Sequence, residues 1–153
     1  MRVVSTVYEK PKNGPMNVDI LNITFILKRR RLLMSKVFEE VFNRAVEAGN
    51  EAMKAAVPRA MTVSNPASGE SWYVEGGVCG FAWVNVKPGN CRFANWAKKN
   101  TKFKPDSYEG GVKYWVSEGG QSMERKEAFA RAMSKVLTDA GVARSVYSGS
   151  RMD

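Results

Sequence analysis

The chain has 153 residues, with 24 Lys and Arg against 15 Asp and Glu and no His, for a formal charge of +9. One domain accommodates this length and buries roughly 68–70% of its unfolded surface without a disulfide or a metal. Without His, Ser-His-Asp and Cys-His mechanisms lack their base, and Cys79 and Cys91 alone argue against a zinc site.

From the N-terminus, Val3, Val4 and Val7 suggest a short strand, and residues 11–15 (Pro-Lys-Asn-Gly-Pro) a turn or flexible link. Val18, Ile20, Ile23, Phe25 and Ile26 read as a second strand or an extended arm. The first clear helix is predicted from Ser35 to Val57, with apolar pairs returning every four residues and Pro58 as its stop. Ala45, Ala48, Gly49 and Ala52 thin one part of its surface, for a sheet or for a second copy.

After a polar loop at Ser64–Gly69, strands are predicted at Trp72–Val74 and Val78–Val86 around Gly76 and Gly77. The glycines there read as a bulge or bend. Pro88, Gly89 and Asn90 make a turn, with Asn90 as N-cap of a short helix from Cys91 to Lys99. That helix turns Phe93, Trp96 and Ala97 inward and Arg92, Asn95 and Lys99 outward. Then come a strand at Val112–Val116 and a long helix capped by Ser122, with Phe129, Met133 and Leu137 in its buried stripe and Gly141 at its end. A last strand at Val142–Tyr147 precedes a polar tail. The pattern predicts an α+β fold: one mainly antiparallel sheet with two long helices on one face, formed by residues 32–153 behind an N-terminal segment, residues 1–31.

The positive charge is local. Residues 76–105 hold no acid but carry Lys87, Arg92, Lys98, Lys99, Lys102 and Lys104. Residues 20–38, equally free of acids, add Lys28, Arg29, Arg30, Arg31 and Lys36. Such fields attract phosphate, so the expected partner is nucleic acid or another polyanion, with the clusters at 28–31 and 87–104 as the binding residues. Lys28–Arg31, between an apolar segment and the first helix, would anchor a phosphate backbone at a junction, be solvated there, or pair with acids of a second copy. Strand aromatics beside basic residues can stack bases, although Trp83 and Phe93 recur among apolar neighbours and read as core. A small anionic nucleotide, held by Arg92 and the N–H groups after Asn90, is a further candidate ligand.

No phosphate-binding loop or dinucleotide fingerprint is present, and no cofactor is expected. Pro105-Asp106 with Glu124-Arg125-Lys126 has the outline of a metal-dependent nuclease. Here Glu124 and Lys126 fall in the first turn of a helix, where an acid is better explained by the helix dipole, so a non-enzymatic protein is expected. Met1 to Lys12 lacks a secretory core, and Ile20–Leu27, broken by Asn22 and Thr24, is too short to cross a bilayer. The two cysteines read as buried thiols of a reducing compartment.

Three stretches carry a resemblance: residues 74–86 (Val-Glu-Gly-Gly-Val-Cys-Gly-Phe-Ala-Trp-Val-Asn-Val), residues 110–117 (Gly-Gly-Val-Lys-Tyr-Trp-Val-Ser), and residues 120–126 with 150–153. Over roughly residues 35–153 the chain resembles small uncharacterised proteins of tailed bacteriophages. The resemblance implies synthesis in the cytoplasm of an infected bacterium, and a virion or host-takeover role would suit the basic N-terminal arm. It carries over no assigned active site. The alternative to polyanion binding is an assembly protein whose residues 1–31 reach a neighbouring copy, giving a homo-oligomer.

Overall fold

The computed structural model describes the backbone of residues 18–153 and the side chains of residues 23–153. The described chain is α+β, in the order α1 (Val18–Ala55), β1 (Met61–Ser64), β2 (Ser71–Val74), β3 (Gly80–Lys87), α2 (Arg92–Asn100), β4 (Lys104–Pro105), β5 (Val112–Trp115), α3 (Met123–Asp139) and β6 (Ser145–Met152). By its contacts the chain divides into Met1–Met34 and Ser35–Asp153. The strand expected at Val3–Val7 and the link at 11–15 lie outside the described residues.

In the first unit, the residues from Val18 onward are helical, which corrects the strand expected at 18–26. Short apolar runs do not separate strand from helix by period alone. This run continues into Leu-Lys-Arg-Arg-Arg-Leu-Leu-Met, a row of straight-chain helix formers with no Gly or Pro to stop the helix before Ser35. Lys28–Arg31 therefore lie inside a helix and not at a junction. Ile23, Phe25, Ile26, Leu27, Leu32 and Leu33 are each at least half exposed.

In the second unit, β4-β5-β3-β6 form an antiparallel sheet, while β1 and β2 pair only with each other, so a single sheet does not describe the chain. Register fixes the two faces of the larger sheet. Val84 opposes Tyr114 and Ser148, and Val86 opposes Val112 and Val146; these positions face the helices. Ala82, Val84, Val86, Phe93, Phe103, Phe129, Met133 and Leu137 are fully buried there. Tyr114 lies 6.3 Å from Phe42 of α1 and stacks at 6.3 Å on Phe129 of α3, so both long helices reach the same face. α2 joins this layer through Phe93, which meets Phe38 edge-on at 5.6 Å.

The thin surface of α1 has a different neighbour from the two expected. Gly49 is buried against Phe129 of α3, so the small residue serves a helix–helix contact within the chain. The cap of α2 is Cys91, not Asn90: its Sγ accepts from the Ala94 N–H at 3.3 Å. Both cysteines are free thiols. Ser122 caps α3 through its Oγ, and Gly141 follows with φ of 61°. The last strand is later and longer than expected: Ser148–Met152, expected in the tail, belong to β6 because β3 offers them a full pairing edge.

Candidate nucleic-acid interface

The second sheet face follows from the same register. Trp83 opposes Trp115 on β5 and Gly149 on β6; Asn85 opposes Lys113 and Tyr147; Phe81 opposes Arg151; Lys87 opposes Ser145; and Lys104 opposes Lys113. These residues point away from the helices. Trp83 is therefore not part of the core, as its apolar neighbours suggested. The alternation Phe81-Ala-Trp-Val-Asn-Val-Lys87 holds the missed signal. Small aliphatic residues share one parity, while aromatic and polar ones share the other.

At one end of this face the three rings cluster. Trp83 and Trp115 have centroids 5.1 Å apart, tilted by 48°, and Phe81 meets Trp115 edge-on at 6.2 Å. Trp115 is 45% exposed. Gly149 lets the Trp83 ring lie against the β6 backbone, since a Cβ there would sit 2.7 Å from ring atoms. Arg151 lies 5.5 Å from the Phe81 centroid, and Lys126 reaches the same ring from α3 at 5.4 Å while donating to the Gly80 carbonyl at 2.9 Å.

At the other end the β4–β5 loop folds across the sheet. Glu109 Oε2 accepts from Tyr147 Oη at 2.9 Å and from Asn85 Nδ2 at 3.3 Å. Lys113 Nζ is held by Asp106 at 2.8 Å and Glu109 at 3.4 Å, and lies 4.9 and 5.6 Å from the Trp83 and Trp115 rings. Burial pulls the Lys113 ammonium down, but the hydrogen bond and charge of Asp106, with Glu109, outweigh it and hold its pKa above the ordinary value. The Lys113 hydrogen bond holds Asp106 below its usual range against partial desolvation, helped by the Tyr108 and Glu109 N–H groups. The Tyr147 hydroxyl does the same for Glu109. Trp83 Nε1 and Asn85 Oδ1 are buried without hydrogen-bond partners.

The fold divides the expected basic stretch. Lys87 and Lys104 belong to the open sheet face, with Lys87 over the Tyr147 ring at 5.2 Å. Arg92, Lys98 and Lys99 sit on α2 in the helix layer, where Lys98 donates to the Gly89 carbonyl at 3.0 Å. Lys102 pairs with Glu118 at 3.3 Å. Lys28–Arg31 lie in the other unit, exposed. Four consecutive helical positions about 100° apart point around the helix and share no single face. Lys87, Lys104, Arg92, Lys99 and Arg151 make no ion pair among the described residues. Arg151 and Lys113, lying outside the acid-free runs, were invisible to the charge count.

The three residues of the nuclease outline have separate partners. Asp106 is bound to Lys113, Glu124 to the Arg59 N–H and guanidinium, and Lys126 to Gly80. Among the described residues no group of three Asp, Glu or Cys could hold a metal ion, and no helix is long and apolar enough to cross a membrane. At the start of α2, a candidate nucleotide site, the Cys91 Sγ already takes the Ala94 N–H. No family model, no curated protein and no solved structure matches the chain.

Proposed function

We propose that the protein is a non-enzymatic nucleic-acid-binding protein of bacteriophage type, acting in an infected bacterial cell. The observation that carries this reading is the sheet face opposite the helix layer, where Phe81, Trp83 and Trp115 cluster beside Arg151 at one end and Lys87 and Lys104 lie at the other, all three cations without an ion pair among the described residues. Aromatic rings offer stacking surfaces and the cations offer phosphate contacts. Lys28–Arg31 and the α2 residues Arg92, Lys98 and Lys99, together with Lys102, add a longer-range field that attracts a polyanion.

Anisotropy titrations with DNA and RNA at two salt concentrations test it. Affinity falls steeply with salt. Replacing Lys87, Lys104 and Arg151 together by Ser reduces the slope of log K against log salt by about 2–3, one released counterion set per lost contact. Absence of binding to any polynucleotide at low salt would end the proposal. The non-enzymatic part rests on the missing His and on the separate engagements of Asp106, Glu124 and Lys126. Metal-dependent nicking of a plasmid that disappears in Glu124→Gln would overturn it.

A second reading has its own observation. The exposed apolar residues of α1 between Ile23 and Leu33 favour an arm that contacts a neighbouring copy, as in a virion or assembly protein. Solution mass decides it.

A further inference from the structure

We infer that the aromatic end of the open sheet face takes unpaired bases, so that the ligand is single-stranded nucleic acid and duplex is bound only through its charge. This rests on the nucleic-acid reading above and specifies its ligand.

Three observations carry it. The first is shape. Duplex is read by an element that enters a groove, a helix or a two-stranded ribbon, and the basic residues of α1, Lys28–Arg31, point around that helix without forming one face. The aromatic cluster lies on the face of a four-stranded sheet, with Trp115 nearly half exposed and Trp83 laid against Gly149. Among the described residues the one separate ribbon, β1–β2, holds Glu70 and no Lys or Arg between Met61 and Val74, so it lacks the charge to approach phosphates.

The second is what already occupies the rings. Lys113 lies over Trp83 and Trp115, while Arg151 and Lys126 lie over Phe81, all within 5.6 Å of a centroid. With Asp106 and Glu109 compensating Lys113, the charge left over the rings is that of Arg151 and Lys126 at Phe81, and this cluster disfavours a cationic ligand there. It also disfavours a purely apolar protein partner, which would have to desolvate Arg151. A nucleotide supplies what both features require: a planar π system for the exposed Trp115 ring and a phosphate for the neighbouring cations.

The third is the arrangement of the cations. Lys87 and Arg151 pair with β6 and β3 positions towards opposite ends of the same strand pairing, and Lys104 lies on edge strand β4. Arg151 thus stands at the ring end and Lys87 and Lys104 at the loop end, a spacing that suits an extended strand running along the face with a base on Trp115.

The experiment uses the full chain and four probes: a labelled oligo-dT, an oligo-U, a duplex of equal length, and heparin as a polyanion without bases. Tryptophan fluorescence is read beside anisotropy. The single strands should bind at least about ten-fold tighter than duplex and quench tryptophan emission, and heparin should not quench. Trp115→Ala, at an exposed position whose fold is checked by circular dichroism, should weaken single-strand binding by about 5- to 150-fold, the range expected for one lost base–aromatic stack. Heparin binding should stay unchanged, and Trp115→Phe should retain most of the affinity. Equal binding of duplex and single strand, no quenching, and no effect of Trp115→Ala would overturn the stacking and leave the nucleic-acid reading standing. Binding of heparin alone, or of none of the four probes, would remove both.

Discussion

Lys113 ties the two ends of the open face together. Its ammonium joins two carboxylates of the covering loop to two tryptophan rings. Such a pairing makes stability depend on pH, and the sign follows from the shifts. Asp106 and Glu109 have folded pKa values below their ordinary 3.8 and 4.5, so unfolding binds protons first in acid. Their contribution is complete above the ordinary values and is lost as pH falls through the folded ones. Lys113 is raised above 10.5, so its contribution is complete below that value and is lost as pH rises through the folded pKa. Urea midpoints measured from about pH 7 down to about pH 3 should be flat first and then fall. Lys113→Met should lower the midpoint at neutral pH, with the gap to wild type closing towards acid. A gap that stays constant to the acid end would show that the ion cluster does not control the response.

Among the elements, α1 and α3 depend on each other through a glycine. A Cβ at Gly49 would lie 2.9 Å from the Phe129 ring, and Phe129 in turn stacks on Tyr114 of the sheet. Two effects compete in Gly49→Ala. Helix propensity favours alanine by about 0.8–1 kcal/mol. Overpacking a filled contact costs about 1–3 kcal/mol. Phe129 is fully buried between a helix and a sheet, so its ring has little room to yield, and the second effect prevails. Gly49→Ala should lower unfolding stability by roughly 0–2 kcal/mol, read from the urea midpoint. A clear stabilisation would show that the ring relocates freely.

For the whole molecule, the exposed apolar residues of α1 raise the question of self-association. Ile26 and Leu33 are seven residues apart, two turns along one face of the helix, and are 50% and 57% exposed. Replacing both by Gln removes apolar surface and keeps a residue that favours helix. Light scattering of the full chain should report an oligomer, and of Ile26→Gln/Leu33→Gln a monomer. A monomeric mass for both proteins would sink the assembly reading and leave the sheet-face proposal untouched.

The sequence by itself determined the α+β class, the two later helices with the Ser122 cap and the Gly141 end, and the strands around Trp83 and Tyr114, because each rests on short-range period and capping chemistry. It also determined the excess of positive charge and the lack of a His base. The extent of α1 was not legible: its apolar N-terminal run suits a strand or a helix until its neighbours are fixed. The end of β6 escaped for a related reason, since Ser and Gly enter a strand when a partner edge is present. Only the tertiary structure decided which side of the sheet each aromatic faces. Trp83 and Val84 are adjacent in the chain and have opposite surroundings, because the helices cover one face and the β4–β5 loop covers only part of the other. The same pairing split the basic stretch between two layers and brought Arg151, distant in sequence, against Phe81. Charge and composition are sums along the chain, whereas a binding face is made by strand register, and register is fixed by contacts between residues far apart in sequence.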